Sequence, residues 1–300
     1  PMTCLLNANN ICTFSQSKFE PILPVVSTDV DTRIKLPNGS NWLGWTAMTL
    51  DEFKHHFNAC NADVNLKHHI LIDVAQGHME ELFKYVEDAK QEYGSNLTVM
   101  IGNMANPETY IDCCEAGVDY VRVGIGGGAG CTTSVQTGFH ASIPWLLEGI
   151  QKIKERCDKA SIRLETKVIA DGGINTIGRA IKCLALGADY VMMGKCFAEC
   201  EEACGKIFTG VHQGTTIPYR LYYGQSSEQG QIDRFGKVKS NPEGVAKHIP
   251  VTTNLSEFCG KFEAALRSAM SYANANILDE FIGKVQWEVM SPAEFKAFDK

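Results

Sequence analysis

Residues 167–195, KVIADGGINTIGRAIKCLALGADYVMMGK, read as a strand, a helix and a second strand in immediate succession. KVIADGGI is a short apolar run closed by glycines, TIGRAIKCLALGA is amphipathic, and DYVMMGK opens another apolar run. A strand feeding a helix that feeds a strand is the repeating unit of a parallel sheet. The same rhythm extends upstream. YVRVGIG (120–126) precedes a helical pattern of Leu146, Leu147, Ile150, Ile153 and Cys157. LTVMIGNMA (97–105) precedes Tyr110, Ile111 and Cys114, and HHILIDVAQ (68–76) precedes Met79, Leu82, Phe83, Val86 and Tyr93, with Gly94 as the stop. FEPILPVV (19–26) and NWLGWTAM (41–48) read as earlier strands.

Seven βα-like units without a break in composition favour a (β/α)8 TIM barrel over a doubly wound sheet, which has fewer strands and a switch point. The expected class is therefore α/β, with residues 1–300 forming one barrel domain. The opening PMTCLL leaves little room for a first strand, so a barrel lacking most of that strand is expected. From Phe208 to His248 no period is visible, and the glycines, glutamines and serines there suit a mobile loop after the last strand, an active-site flap over 208–248. Asn254, with Glu257 placed for a capping box, starts a closing helix that carries Leu255, Phe258, Phe262, Leu266 and Met270.

A net charge of −7 gives no electrostatic reason to expect nucleic acid as a partner. No segment reads as a signal peptide or reaches membrane-spanning length, so a soluble, cytoplasmic protein without a membrane partner is expected. The twelve cysteines are scattered, without matched CxxC pairs, as in a reducing compartment. Cys196, Cys200 and Cys204 recur every four residues and either hold a metal or fill small buried spaces.

Residues 124–133, GIGGGAGCTT, follow the strand YVRV. No lysine follows the glycines, which argues against a Walker loop. Gly124, Gly126 and Ala129 fit a dinucleotide fingerprint, but Cys131, Thr132, Thr133 and a polar loop to His140 separate them from the next helix. Two readings remain: a thiol nucleophile at the C-terminal mouth of a barrel strand, or a buried small cysteine beside a flexible loop. ADGG (170–173) and MMGK (192–195) belong to the same end of the next two strands, where backbone amides and a helix start hold phosphate. Lys195 adds positive charge, and Asp171 either accepts from two ribose hydroxyls or caps a turn. Together the three loops describe a nucleoside monophosphate lying across the barrel mouth, its base toward Cys131.

VGIGGGAGCTT, VIADGGINTIGRAIKCLALGADYVMMGK and YYGQSSEQ together resemble the IMP dehydrogenase and GMP reductase family, from about Asp73 to the final helix. The resemblance implies a (β/α)8 barrel, a purine nucleotide substrate, a nicotinamide cofactor (NADPH or NADH) and a homo-oligomer, commonly a tetramer. By matching position, Cys131 is the nucleophile that adds to purine C2, Thr133 handles proton transfer, and Glu243 in NPEG acts with that threonine on departing ammonia. Asp73, Val74, Ala75, Ile125 and Gly126 match the cofactor side. Asp171, Gly172, Gly173, Gly194, Lys195, Gly224, Gln225, Ser226 and Gly244 match the substrate side. The carbonyls of Gly126, Gly128 and Cys131 match a monovalent cation site, for K+.

The short interval between PILPVV and NWLGW leaves no room for the regulatory module of many IMP dehydrogenases, and YYGQSSEQ resembles the reductase pattern YGMSSE. Both favour the reductase, which converts GMP to IMP and ammonia. Arg234 and Phe235 are similar to the dehydrogenase loop, which keeps an IMP dehydrogenase-like enzyme as the alternative. Departures from the family keep a third reading open, a non-catalytic nucleotide-binding subunit. Ala129 stands where a serine hydroxyl meets phosphate, Ser134 where arginine is frequent, and Thr3 where aspartate is usual. The stretch around Val25 lacks the family's basic residue.

Overall fold

The computed structural model describes residues 34–35, 41–45, 64, 67–74, 77–212, 214–291 and 293. The expectations for the first strand, Thr3, the stretch around Val25 and Ala75 lie outside the described residues. A short β1 (Ile34–Lys35) pairs antiparallel with β2 (Asn41–Trp45). From β2 the sheet runs in sequence order and in parallel through β3 (His68–Asp73), β4 (Leu97–Met104), β5 (Tyr120–Val123), β6 (Lys167–Asp171) and β7 (Tyr190–Met192). The connections are α1 (Glu80–Tyr93), α2 (Thr109–Glu115), α3 (Thr133–Thr137) with α4 (Ile143–Lys159), and α5 (Ile177–Ala185). This is the βα succession read from the sequence, in a TIM-barrel-like α/β fold.

Strands β3 and β4 are buried on both faces, as parallel strands covered by helices must be. One face packs Ile70, Ile72, Val99, Ile101, Val121 and Val168 against Leu82, Val86, Leu146, Leu147, Ile150 and Ala180 of the helices. The opposite face stacks Leu71, Met100 and Ile169 with Tyr120 and Tyr190. Because side chains alternate along a strand, the residues two further on, Asp73, Gly102, Arg122 and Asp171, share that inner face one layer nearer the C-terminal ends. An apolar layer thus supports a charged one. Gly102 is required there, since a Cβ on it would sit 2.5 Å from Arg122 Cβ.

Two expectations for loops are corrected. The stretch 208–248 contains regular structure: β8 (Ile207–His212) and β9 (Thr215–Tyr222) form a hairpin, α7 (Glu228–Phe235) follows, and β10 (Lys247–Pro250) pairs with β9 in a separate three-stranded antiparallel sheet. Its outer face is held by aromatic cross-strand contacts, with Phe208 stacked on Tyr219 at 5.7 Å and Tyr219 edge-on to His248 at 4.9 Å. The "polar loop" before His140 contains the one-turn α3, closed by Gly138 in the left-handed region at φ 71°.

A four-residue α6 (Lys195–Ala198) follows β7, and α8 (Leu255–Tyr272) packs against α5. Asn254 caps α8 by accepting from the Glu257 amide at 2.9 Å. The return bond of the expected capping box is different, because the Glu257 carboxylate accepts from the Thr253 hydroxyl at 3.2 Å. Cys196 and Cys200 are buried and Cys204 is exposed past the end of α6, so they do not share a helical face; no metal-binding group of side chains occurs among the described residues.

Candidate active site

Gly124 opens the turn after β5 with φ 117°, and a Cβ on it would lie 2.3 Å from the Asp171 carbonyl oxygen. Only glycine lets the two turns approach so closely. Seven residues on, the Cys131 amide donates to Gly128 O at 3.0 Å, which closes the turn that presents the thiol. Cys131 Sγ donates to Thr133 Oγ1 at 3.2 Å, and Thr133 Oγ1 donates to Glu243 Oε2 at 2.6 Å. Thiol, hydroxyl and carboxylate therefore form one continuous hydrogen-bonded chain, joining residues that stand 110 positions apart in sequence.

Glu243 is held in place by its backbone. Thr132 N donates to Glu243 O at 2.9 Å, Val245 N donates to Gly130 O at 2.8 Å, and Lys247 Nζ donates to Ala129 O at 2.5 Å. Residues 243, 245 and 247 alternate as in a strand, so one edge of this segment is stitched to the cysteine turn. Gly244 makes β-bridges to both Cys131 and Ser227. Gly224, Gln225 and Ser226 lie against the same junction, with Glu243 N donating to Ser226 O at 3.0 Å and Ser227 Oγ donating to Gly224 O at 2.6 Å. Neighbouring Tyr223 donates to Asp233, and that bond together with burial pushes its phenol up to about 12. Arg234 and Phe235 end α7.

Beside the cysteine turn opens a cleft. It is walled by Gly128 and Ala129, by Asp171, Gly172 and Gly173, by Gly194 and Lys195, and by Tyr222 from β9. All three glycine turns therefore face one space. Cys131 is partly exposed and stands beyond Ala129, and it does not wall the cleft. Gly224, Gln225, Ser226 and Gly244 are likewise outside its walls, on the Cys131 side. Lys195 differs from expectation: its ammonium pairs with Glu199 at 2.7 Å, one helical turn on, so its charge is already matched.

The charged layer beneath the cleft binds its members tightly. Arg122, 1% exposed, pairs with Asp73 at 2.9 Å and Asp171 at 2.7 Å. Burial opposes the guanidinium charge, but the two carboxylates outweigh it and hold Arg122 above its ordinary range. Asn103 Nδ2 donates to Asp171 Oδ2 at 2.9 Å and to Gly124 O at 2.7 Å. Both bonds to Asp171 fall on Oδ2, which leaves Oδ1 without a donor among the described residues. Val74 is buried with its amide on Gly102 O, and Ile125 exchanges two backbone bonds with Ala141.

Arg122 and Asn103 escape notice in the sequence. The available signal is a lone arginine inside the apolar strand YVRV, since a buried charge needs a partner, and aspartates end two nearby strands. Burial pushes Cys183 and Cys259 up to about 11 and Cys113 well above its ordinary value.

With this geometry in view, comparisons with known proteins add an independent line. A family model described as "IMP dehydrogenase / GMP reductase domain" matches residues 46–297. Inosine-5'-monophosphate dehydrogenase of Chlorobaculum tepidum is 36% identical over 223 residues, covering 70% of this chain and 43% of that protein. The enzyme of the same name from Haemophilus influenzae is 34% identical over 238 residues, covering 76% of this chain and 46% of its own length. The chain thus spans less than half the length of the curated relatives it matches. Among solved structures, that of the C318A variant of GMP reductase from Trypanosoma brucei with guanosine 5'-monophosphate shares the fold, with a TM-score of 0.69 and 22% identity over 86% of this chain and 51% of the other.

Proposed function

Since the chain belongs to the IMP dehydrogenase / GMP reductase family, matched over residues 46–297, we propose that it is a purine nucleotide oxidoreductase that converts GMP to IMP and ammonia with NADPH or NADH. The Cys131–Thr133–Glu243 hydrogen-bonded chain carries this reading. A thiol becomes a nucleophile only when its proton is taken, and the chain leads from sulfur through a hydroxyl to a carboxylate. The thiol proton passes through Thr133 to Glu243 as Sγ bonds to purine C2. The same proton returns through Thr133 to the exocyclic amine as the C2–N bond breaks, and ammonia leaves. The hydride that C2 then accepts would be supplied by a reduced nicotinamide held on the Asp73 side. The electron pair of the Sγ–C2 bond then returns to sulfur, a proton from solvent restores the thiol, and IMP is free.

The cleft suits the ribose phosphate of such a substrate, with Asp171 Oδ1 open to the ribose and the amides of Gly172, Gly173 and Gly194 beside the phosphate. One orphaned donor fits the cofactor: Arg122 Nε is buried without an acceptor among the described residues, at the end of the sheet where Asp73 lies. A polar group of a nicotinamide ring meets that need. The carbonyls of Gly126, Gly128 and Cys131 fit a monovalent cation such as K+, since Gly128 O keeps a second lone pair beyond its bond to Cys131 N. Such a cation would stiffen the turn. A homo-oligomer, a tetramer in this reading, completes the proposal; no helix among the described residues is long and apolar enough to cross a membrane.

The test is to mix the purified chain with GMP and NADPH and follow nicotinamide absorbance. Loss of reduced cofactor is expected, and Cys131→Ala abolishes it. The identity to inosine-5'-monophosphate dehydrogenases favours a second reading, for which IMP and NAD+ would instead give a gain in absorbance. Silence in both mixtures, with GMP still bound, would assign the chain a non-catalytic role.

A further inference from the structure

The inner face of the small sheet carries cations that no acidic side chain neutralises among the described residues. In the β9–β10 register Tyr222 opposes Lys247 and Arg220 opposes Ile249. Opposed residues project to the same side, and positions 220 and 222 alternate onto one face, so all four share it. That face packs on the barrel through Tyr222, Ile249, Ala198 and Ala129. Tyr222 and Ala129 also wall the cleft, and Lys247 Nζ reaches Ala129 O at 2.5 Å, which places an exposed ammonium at the rim. An ammonium has three donors, so two remain. Behind it, Arg220 is 2% exposed, donates Nη2 to Glu201 O at 3.2 Å, and has no acceptor for Nε or Nη1 among the described residues.

We infer that Lys247 is a specificity-determining residue that selects ligands bearing a phosphate monoester, with the buried Arg220 adding positive potential behind it. The inference rests on the nucleotide reading of the cleft. It also accounts for two features that reading leaves open. Ala129 offers no hydroxyl to an anion, and Glu199 offsets the charge of Lys195, so beside the carboxylate of Asp171 a further cation favours a dianion. Lys247 supplies that charge from the rim.

Calorimetry on the full chain tests this with GMP, guanosine and ribose 5-phosphate, using the native protein, Lys247→Met and Lys247→Arg. Lys247→Met should weaken both phosphate-bearing ligands about tenfold, as expected for loss of one charge-assisted bond, and leave guanosine unchanged. It should also flatten the salt dependence of GMP binding, and Lys247→Arg should restore most of the affinity. Unchanged GMP affinity in Lys247→Met would overturn the inference. So would an equal loss for guanosine and GMP, which would make Lys247 only a prop for the Ala129 turn, or failure of any phosphate-bearing ligand to bind the native chain. Ribose 5-phosphate separates this from the proposed reaction: if the natural base is not a purine, or turnover is absent, the Lys247 effect on the sugar phosphate still appears.

Discussion

Thr133 both accepts from the thiol and donates to the carboxylate, a double duty only a hydroxyl can perform. Thr133→Val keeps the shape and removes both bonds. Turnover should fall by roughly 10²–10⁴-fold, the usual worth of positioned acid–base groups, while GMP affinity by calorimetry stays within a few-fold. The cysteines offer a chemical check. With Cys183 and Cys259 pushed up to about 11, on the order of 0.1% of each is thiolate at pH 8, so iodoacetamide should spare them and label Cys131, with GMP protecting it. Labelling at Cys183 and Cys259 should rise as pH climbs toward 11, which peptide mass spectrometry can follow. Arg122 matters for a different reason. Arg122→Met strands Asp73 and Asp171 as buried, uncompensated carboxylates, and denaturation should show a loss of about 3–5 kcal/mol.

Among elements, the barrel strands and helices were legible because their burial is one-sided or complete and leaves a period in the sequence. IADGG and MMGK could be placed at strand ends by that rhythm alone, and both contribute walls to the cleft. The small sheet was not legible. Its hairpin leaves Phe208 and Val211 exposed while burying Arg220, which inverts the pattern that identifies strands. The link from Glu243 through Thr133 to Cys131 was legible only through family resemblance, since nothing local in NPEG points to a threonine 110 positions away. The alternating seam at 243, 245 and 247 makes its own prediction. Val245→Pro removes the amide that donates to Gly130 O. Circular dichroism should show the fold retained while turnover drops.

At the scale of the whole molecule, a ligand in the cleft would touch both the parallel sheet, through Asp171 and Gly194, and the separate sheet, through Tyr222. Nucleotide should therefore stabilise the two together. At one hundred times its dissociation constant GMP should add about 2.7 kcal/mol to unfolding, and hydrogen exchange should slow in β10 as well as at the end of β6. Slowing confined to β6 would mean that the small sheet takes no part in binding. Composition had set this scale only loosely: a net charge of −7 gave no hint of an exposed lysine at the rim of the cleft.

The seam at 243, 245 and 247 has a consequence for timing. Its three links run side by side onto one turn, so a displacement of the segment would part the carboxylate from the thiol in the same movement that breaks the bonds to Gly130, Thr132 and Ala129.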